Sequence, residues 1–139
     1  MRIKRVGAYV GVDPTADSMH VGHLLPLMPL FWLWFHGHGA VTLLGGATAR
    51  IGDPTDRLKT RDNMSNSDIT KNITKMHYQL ARLWHNVHEL KRKYNYEEDW
   101  AAKHHLINNN TWFQGLSLYD FTKRLAKNIR LGPMLSRDT

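Results

Sequence analysis

Apolar and polar positions alternate in blocks near the start of the chain. Ala8 to Val12 is an apolar run closed by Asp13-Pro14, which predicts a buried strand feeding a turn. From Ser18 to His36 the chain is apolar almost throughout and too long for a strand, so a buried helix is predicted, capped by Asp17 or Ser18 and ended by Gly37 and Gly39. Pro26 and Pro29 fall inside it. An interior proline removes a hydrogen bond at a cost of around 3 kcal/mol, so a kink or a short irregular first turn is expected. Ala40 to Leu44 is a second apolar, β-branched run followed at once by Gly45-Gly46. Strand, helix, strand and glycine loop make a βαβ unit with parallel strands and a right-handed crossover. Asp13 and Gly45 then share the rim at the strand C-termini, where such sheets bind ligands.

Beyond Ile51 the chain turns polar as far as Asn66, with Asp53-Pro54 marking a mobile surface loop. Ile69, Ile73, Met76, Leu80, Leu83, Val87 and Leu90 then recur at helical steps, on a helix capped near Ser67 or Asp68. The stripe fits either packing against its own domain or a helix-on-helix seam in a dimer. A third helix is predicted from Ser117 to Ile129, with Leu118, Phe121, Leu125 and Ile129 on one face and Gly132-Pro133 as its stop. Residues 1–66 therefore form a first βαβ half and residues 67–139 a helical connective region, within one truncated domain.

Composition narrows this picture only in places. A chain of 139 residues has room for one core. Its +7 charge would attract polyanions such as RNA or nucleotides, though many basic proteins bind neither. With no cysteine, a disulfide framework, a thiolate metal site and a Cys nucleophile are all excluded. Leu24 to Phe35, the most apolar window, is shorter than the roughly 20 residues of a membrane span. Met1 to Arg5 is basic but lacks the length and Arg/Ser pattern of a transit peptide, which fits a start that has been cut short.

The candidate chemistry lies in Asp17-Ser-Met-His20-Val-Gly22-His23. His20 and His23 are three apart, hence on one face of the predicted helix start. They could be two surface histidines; a metal pair lacks a nearby Cys or an acidic third ligand at helix spacing. A phosphate site is the third reading, since a helix N-terminus offers free N–H donors and the positive end of its dipole. Gly22 would let a base or ribose approach the backbone. Thr15 adds a hydroxyl, and Arg57, Lys59 and Arg61 form a basic loop able to close on a departing pyrophosphate. His85, His88, His104 and His105 are expected on the surface.

The segment Tyr9-Val-Gly-Val-Asp-Pro-Thr-Ala-Asp-Ser-Met-His-Val-Gly-His-Leu24 resembles the opening of class I tyrosyl-tRNA synthetases, with His20 to His23 similar to their HIGH signature. Gly45-Gly-Ala-Thr-Ala-Arg-Ile-Gly-Asp-Pro-Thr55 resembles a second segment of that family. Met76-His-Tyr-Gln-Leu80, Asn108-Asn-Asn-Thr-Trp112 and Gly132 to Thr139 resemble its fungal mitochondrial branch. The likeness implies an α/β fold: the first half of a class I synthetase Rossmann-type nucleotide-binding domain plus a helical connective insertion. It also implies activation of tyrosine by Mg-ATP, transfer to tRNA(Tyr), a homodimer and a mitochondrial matrix location. By the same likeness His20 and His23 stabilise the phosphates, Thr15 meets the terminal phosphate, and Gly11, Asp13 and Gly22 line the adenylate. Arg57 and Arg61 match the pyrophosphate loop, Tyr9 meets the substrate phenol, and Thr48 and Asp53 hold its ammonium group. No resident metal ion is implied. Asp56 replaces a usual glycine. The family's tyrosine-selecting YxxxQxxD segment, KMSKS loop and anticodon-binding domain lie beyond these 139 residues, so the chain is expected to be an N-terminal fragment, inactive alone. The competing reading is a non-catalytic RNA-binding or dimerising scaffold derived from a synthetase.

Overall fold

The computed structural model describes residues 6–51, 65–96, 103–130 and 132. Strand β1 (Gly7–Val12), helix α1 (Val21–Phe35) and strand β2 (Gly39–Leu44) follow in the predicted order. β1 and β2 are parallel, in register from Gly7 opposite Gly39 to Val12 opposite Leu44. Helix α2 (Thr48–Ile51) comes next, then the long helix α3 (Asn66–Lys93). A third strand, β3 (His104–Asn108), pairs parallel with β2 and gives the sheet order β1-β2-β3. It lies within the stretch expected to be helical, and its sequence His-His-Leu-Ile-Asn carries too little apolar alternation to announce a strand. Helices α4 (Asn110–Phe113) and α5 (Leu118–Arg124) and a 3-10 turn (Ala126–Asn128) follow.

Both crossover helices cover the same face of the sheet. Val12, Ala40 and Leu44 pack there against Leu27, Leu30, Phe31 and Trp34 of α1 and Met76, Leu80, Trp84 and Val87 of α3. Alternation along β1 sends Tyr9 and Gly11 to the opposite, open face. The apolar stripe of α3 is therefore used in packing against its own domain, and its buried line runs through Trp84 and Lys91 while Leu90 is exposed. Among the described residues no helix is long and apolar enough to cross a membrane.

Several helix boundaries differ from expectation. α1 is capped by His20, not by Asp17 or Ser18, and the Asp17 carboxylate instead pairs with Lys75 at 2.7 Å. It passes through Pro26 and Pro29, both on its exposed side, and its first turn opens on a tight bond from the His23 N–H to the His20 carbonyl at 3.0 Å. Gly37, at φ 79, ends it as predicted. α3 is capped two residues early, by Ser65 accepting from the Asp68 N–H at 3.1 Å. Ser117 does cap α5, but that helix stops at Arg124, and Leu118, Phe121, Leu125 and Ile129 are all exposed.

Candidate active site

The C-terminal ends of all three strands are tied to one another. The Gly45 N–H donates to the Val12 carbonyl at 2.9 Å, and the Asn109 N–H to the Leu44 carbonyl at 3.1 Å. Asn109, only 4% exposed, accepts from the Ala47 N–H at 2.7 Å and donates to the Thr48 hydroxyl oxygen at 3.4 Å. The Thr48 hydroxyl donates to Asp13 Oδ1 at 2.9 Å, bridging the ends of β1 and β2. Any Cβ on Gly45 would overlap Asp13 and Thr48, and one on Gly46 would overlap Asn108. The glycine pair is there because three side chains converge on the turn.

From Asp13 the chain runs to α1 along the flank of α3. Asn72 Nδ2 donates to the Pro14 carbonyl at 3.3 Å. Lys75 pairs with Asp17, and its ammonium holds that exposed carboxyl below the usual carboxylate range, chiefly through the hydrogen bond. Gln79 accepts from the Met19 N–H at 2.9 Å and donates to the Asp17 carbonyl at 3.3 Å.

His20 and His23 then lock into one another. His20 Nδ1 accepts from the Gly22 N–H at 3.1 Å, while the His20 N–H donates to His23 Nδ1 at 3.1 Å. The ring centroids are 4.1 Å apart. This is a capping box built from imidazoles, and it assigns the tautomers by hydrogen-bond geometry: with Nδ1 accepting, each neutral ring carries its hydrogen on Nε2. Two N–H donors are thus presented at a helix N-terminus. Neither ring is buried. Gly22 has a nearer reason than ligand access, since a Cβ there would sit 2.9 Å from His20 Cε1.

The other expected site residues divide clearly. Asp13 and Thr48 are brought together, and Thr15 follows in a turn closed by its N–H on the Asp13 carbonyl at 2.9 Å. Tyr9, 74% exposed, stands with Gly11 on the outer face of β1, and among the described residues a Cβ on Gly11 would meet nothing within 4 Å. Asp53, Asp56, Arg57, Lys59 and Arg61 lie outside the described residues. Among the described residues no group of three or more His, Asp or Glu could hold a metal ion. Asn72, Gln79, Asn108 and Asn109 were missed by sequence reasoning; the one signal was a polar column, 72, 75 and 79, beside the stripe of α3.

Two histidines expected on the surface are half-buried and paired with one another. His88 Nε2 lies 3.0 Å from His104 Nδ1, and His104 stacks on Trp84 with centroids 4.1 Å apart. Burial pushes both below the ordinary histidine range. The helix α3 and the strand β3 meet at this pair, so it is structural. His85 and His105 are exposed as expected.

Parallel strands joined by crossover helices on one face, with α1 starting beyond the C-terminal end of β1, define a Rossmann-like α/β fold. The model of the tRNA synthetases class I (W and Y) matches residues 1–139, and the chain belongs to that family. It is 57% identical over 136 residues to a mitochondrial tyrosine–tRNA ligase of Podospora anserina, covering 98% of this chain and 21% of that protein. A mitochondrial tyrosine–tRNA ligase of Saccharomyces cerevisiae is 38% identical over 137 residues, 97% of this chain and 28% of that protein. The crystal structure of a C-terminally truncated mitochondrial tyrosyl-tRNA synthetase of Aspergillus nidulans superposes with a TM-score of 0.90 at 46% identity, covering 97% of this chain and 38% of that one. The chain thus spans between a fifth and a third of the length of these curated relatives.

Proposed function

We propose that this chain is the N-terminal nucleotide-binding part of a mitochondrial tyrosine–tRNA ligase, which joins tyrosine to ATP as tyrosyl-adenylate and passes the tyrosyl group to tRNA(Tyr). The observation that carries the reading is the reciprocal capping of His20 and His23, which fixes two Nε2–H donors beside the free N–H groups of α1. Such donors suit phosphate oxygens whose charge grows as the bond to the α-phosphorus breaks.

In the reaction the tyrosine carboxylate attacks the α-phosphorus and pyrophosphate departs, so the residues have to position reactants and stabilise charge rather than form a covalent intermediate. His20 and His23 donate to the phosphates, with Thr15 at the terminal one. Gly11, Asp13 and Gly22 line the adenylate. Tyr9 meets the substrate phenol, Thr48 and Asp53 serve its ammonium group, and Arg57 and Arg61 close on pyrophosphate. Among the described residues the start of α1 offers N–H donors, which suit phosphate oxygens rather than a bare divalent cation. The divalent cation belongs with the nucleotide as its phosphate counter-ion.

The exposed apolar side chains from Trp112 to Ile129 support a homodimer or a larger fold around this part. The scaffold alternative is not favoured, because it gives no use to a paired phosphate-donor arrangement. Tyrosine-dependent ATP–pyrophosphate exchange and Mg-ATP binding test the reading. The 139-residue chain should bind Mg-ATP weakly, exchange poorly, and lose binding on His23→Ala. Equal Mg-ATP affinity in the unaltered and His23→Ala chains would sink it.

A further inference from the structure

Between the rim and the histidine pair runs a link, Asp13 to Met19, that belongs to neither strand nor helix. Its position decides where the two imidazoles stand. Three side chains of α3 touch it, and they are unequal. Lys75 makes an ion pair with both partners largely exposed, a kind that contributes little. Asn72 makes one bond, to the Pro14 carbonyl at the far end of the link. Gln79 alone makes two, to consecutive peptide groups flanking Ser18, accepting from the Met19 N–H and donating to the Asp17 carbonyl. Its neighbours on α3, Met76 and Leu80, are sealed in the core, so the carboxamide is held from a rigid base.

The consequence passes through one more peptide. The His20 N–H, next along the chain from the Met19 N–H, must point at His23 Nδ1 for that ring to accept from it. Only then does His23 keep its hydrogen on Nε2, and only with His20 extended at φ −120 and ψ 172 does its own ring reach back to the Gly22 N–H. We propose that Gln79 is a positioning residue of the triphosphate site, fixing the entry to α1 so that both imidazoles present Nε2–H to the nucleotide. This rests on the reading of His20 and His23 as phosphate donors. Gln79 itself touches no reacting atom. It also lines, with His20, Leu24, Arg82 and Asn86, an open cleft of about 460 Å³ between α1 and α3, so the clamp stands at the edge of accessible space.

The test uses the whole 139-residue chain with ¹⁵N-labelled histidine rings, carrying Gln79→Leu, with Lys75→Ala as the control. In the unaltered chain at neutral pH, His20 and His23 should give the ring signature of the Nε2–H tautomer. Gln79→Leu should move both toward a mixture of tautomers, leave the His88 and His104 signals in place, and weaken Mg-ATP binding about tenfold. Lys75→Ala should change neither readout. A merely structural Gln79 would lower the melting temperature without moving the ring signature of the folded chain, and that result overturns the proposal. If the unaltered chain binds Mg-ATP, His23→Ala removes binding and Gln79→Leu changes nothing, positioning by Gln79 fails while the phosphate site stands. If the unaltered chain does not bind Mg-ATP, both fail. Should Gln79→Leu not fold, Gln79→Glu keeps the acceptor for Met19 and loses the donor to Asp17. It should still disturb the two ring signatures, and unchanged signatures there also overturn the proposal.

Discussion

The indole N–H of Trp84 donates to the Thr42 hydroxyl at 2.9 Å, in a setting where neither group meets solvent. It joins α3 to the middle of β2 and accounts for a hydroxyl in an otherwise apolar strand. Thr42→Val keeps the shape but leaves the indole N–H without a partner, which costs about 1–3 kcal/mol. Chemical denaturation should report that loss at unchanged m-value.

Stability should also fall in mild acid, on account of His88 and His104. Burial lowers both, and for His88 the positive charges of Lys91 and Arg92 and the neighbouring His85 add to it while Glu89 opposes; for His104 the neighbours are His88 and His105. A histidine lowered in the folded state is neutral there while the unfolded chain takes up protons near its ordinary value of about 6.5. Stability is therefore level above that value and declines as pH falls through it toward the lowered values. Melting temperatures between pH 8 and 5 should show this slope. His104→Phe, which preserves the stack on Trp84, should flatten it.

Gly45 and Gly11 should differ in what an added methyl group does to stability. Gly45→Ala drives a methyl group into Asp13 and Thr48, so it should break their bond and lower both stability and Mg-ATP affinity. Gly11→Ala meets open space and needs no unusual φ, so its stability should stay within about 0.5 kcal/mol. If the adenylate lies on that face, the methyl occupies its place and Mg-ATP affinity should still drop. Thermal melts paired with calorimetric titration separate the two cases.

Why some of this was legible in the sequence, and some not, follows from the range of the forces involved. β1, α1 and β2 were readable because continuous apolar runs end at Asp13-Pro14, Gly37 and Gly45-Gly46, all local signals. β3 was hidden because His104, which stacks on Trp84, fills a core-facing position that a sequence reader gives to an aliphatic residue. The histidine pair was visible as a motif, but not its role as the cap of α1, because histidine is not among the residue types a reader assigns to a helix N-cap. Gln79 and Asn109 bond to groups about sixty residues distant and carry no local mark. Long-range polar contacts were illegible; apolar periodicity was not.

His20 does two jobs that a single substitution can separate. Its Nδ1 caps α1 through the Gly22 N–H, and its Nε2–H is the proposed phosphate donor. His20→Ala removes both, so lost binding there could reflect only a frayed helix start, a cap being worth about 0.5–2 kcal/mol. His20→Asn is the sharper change. Asparagine is among the best capping residues, and its side-chain oxygen can accept from the same N–H, so the helix start should hold or gain stability. What asparagine lacks is a second nitrogen reaching outward from a ring. The His20→Asn chain should therefore keep its melting temperature while its Mg-ATP affinity falls about tenfold, the value of one charge-assisted hydrogen bond. Retained affinity in a chain that melts normally would mean that His20 serves only the helix, leaving His23 and the α1 backbone to hold the phosphates.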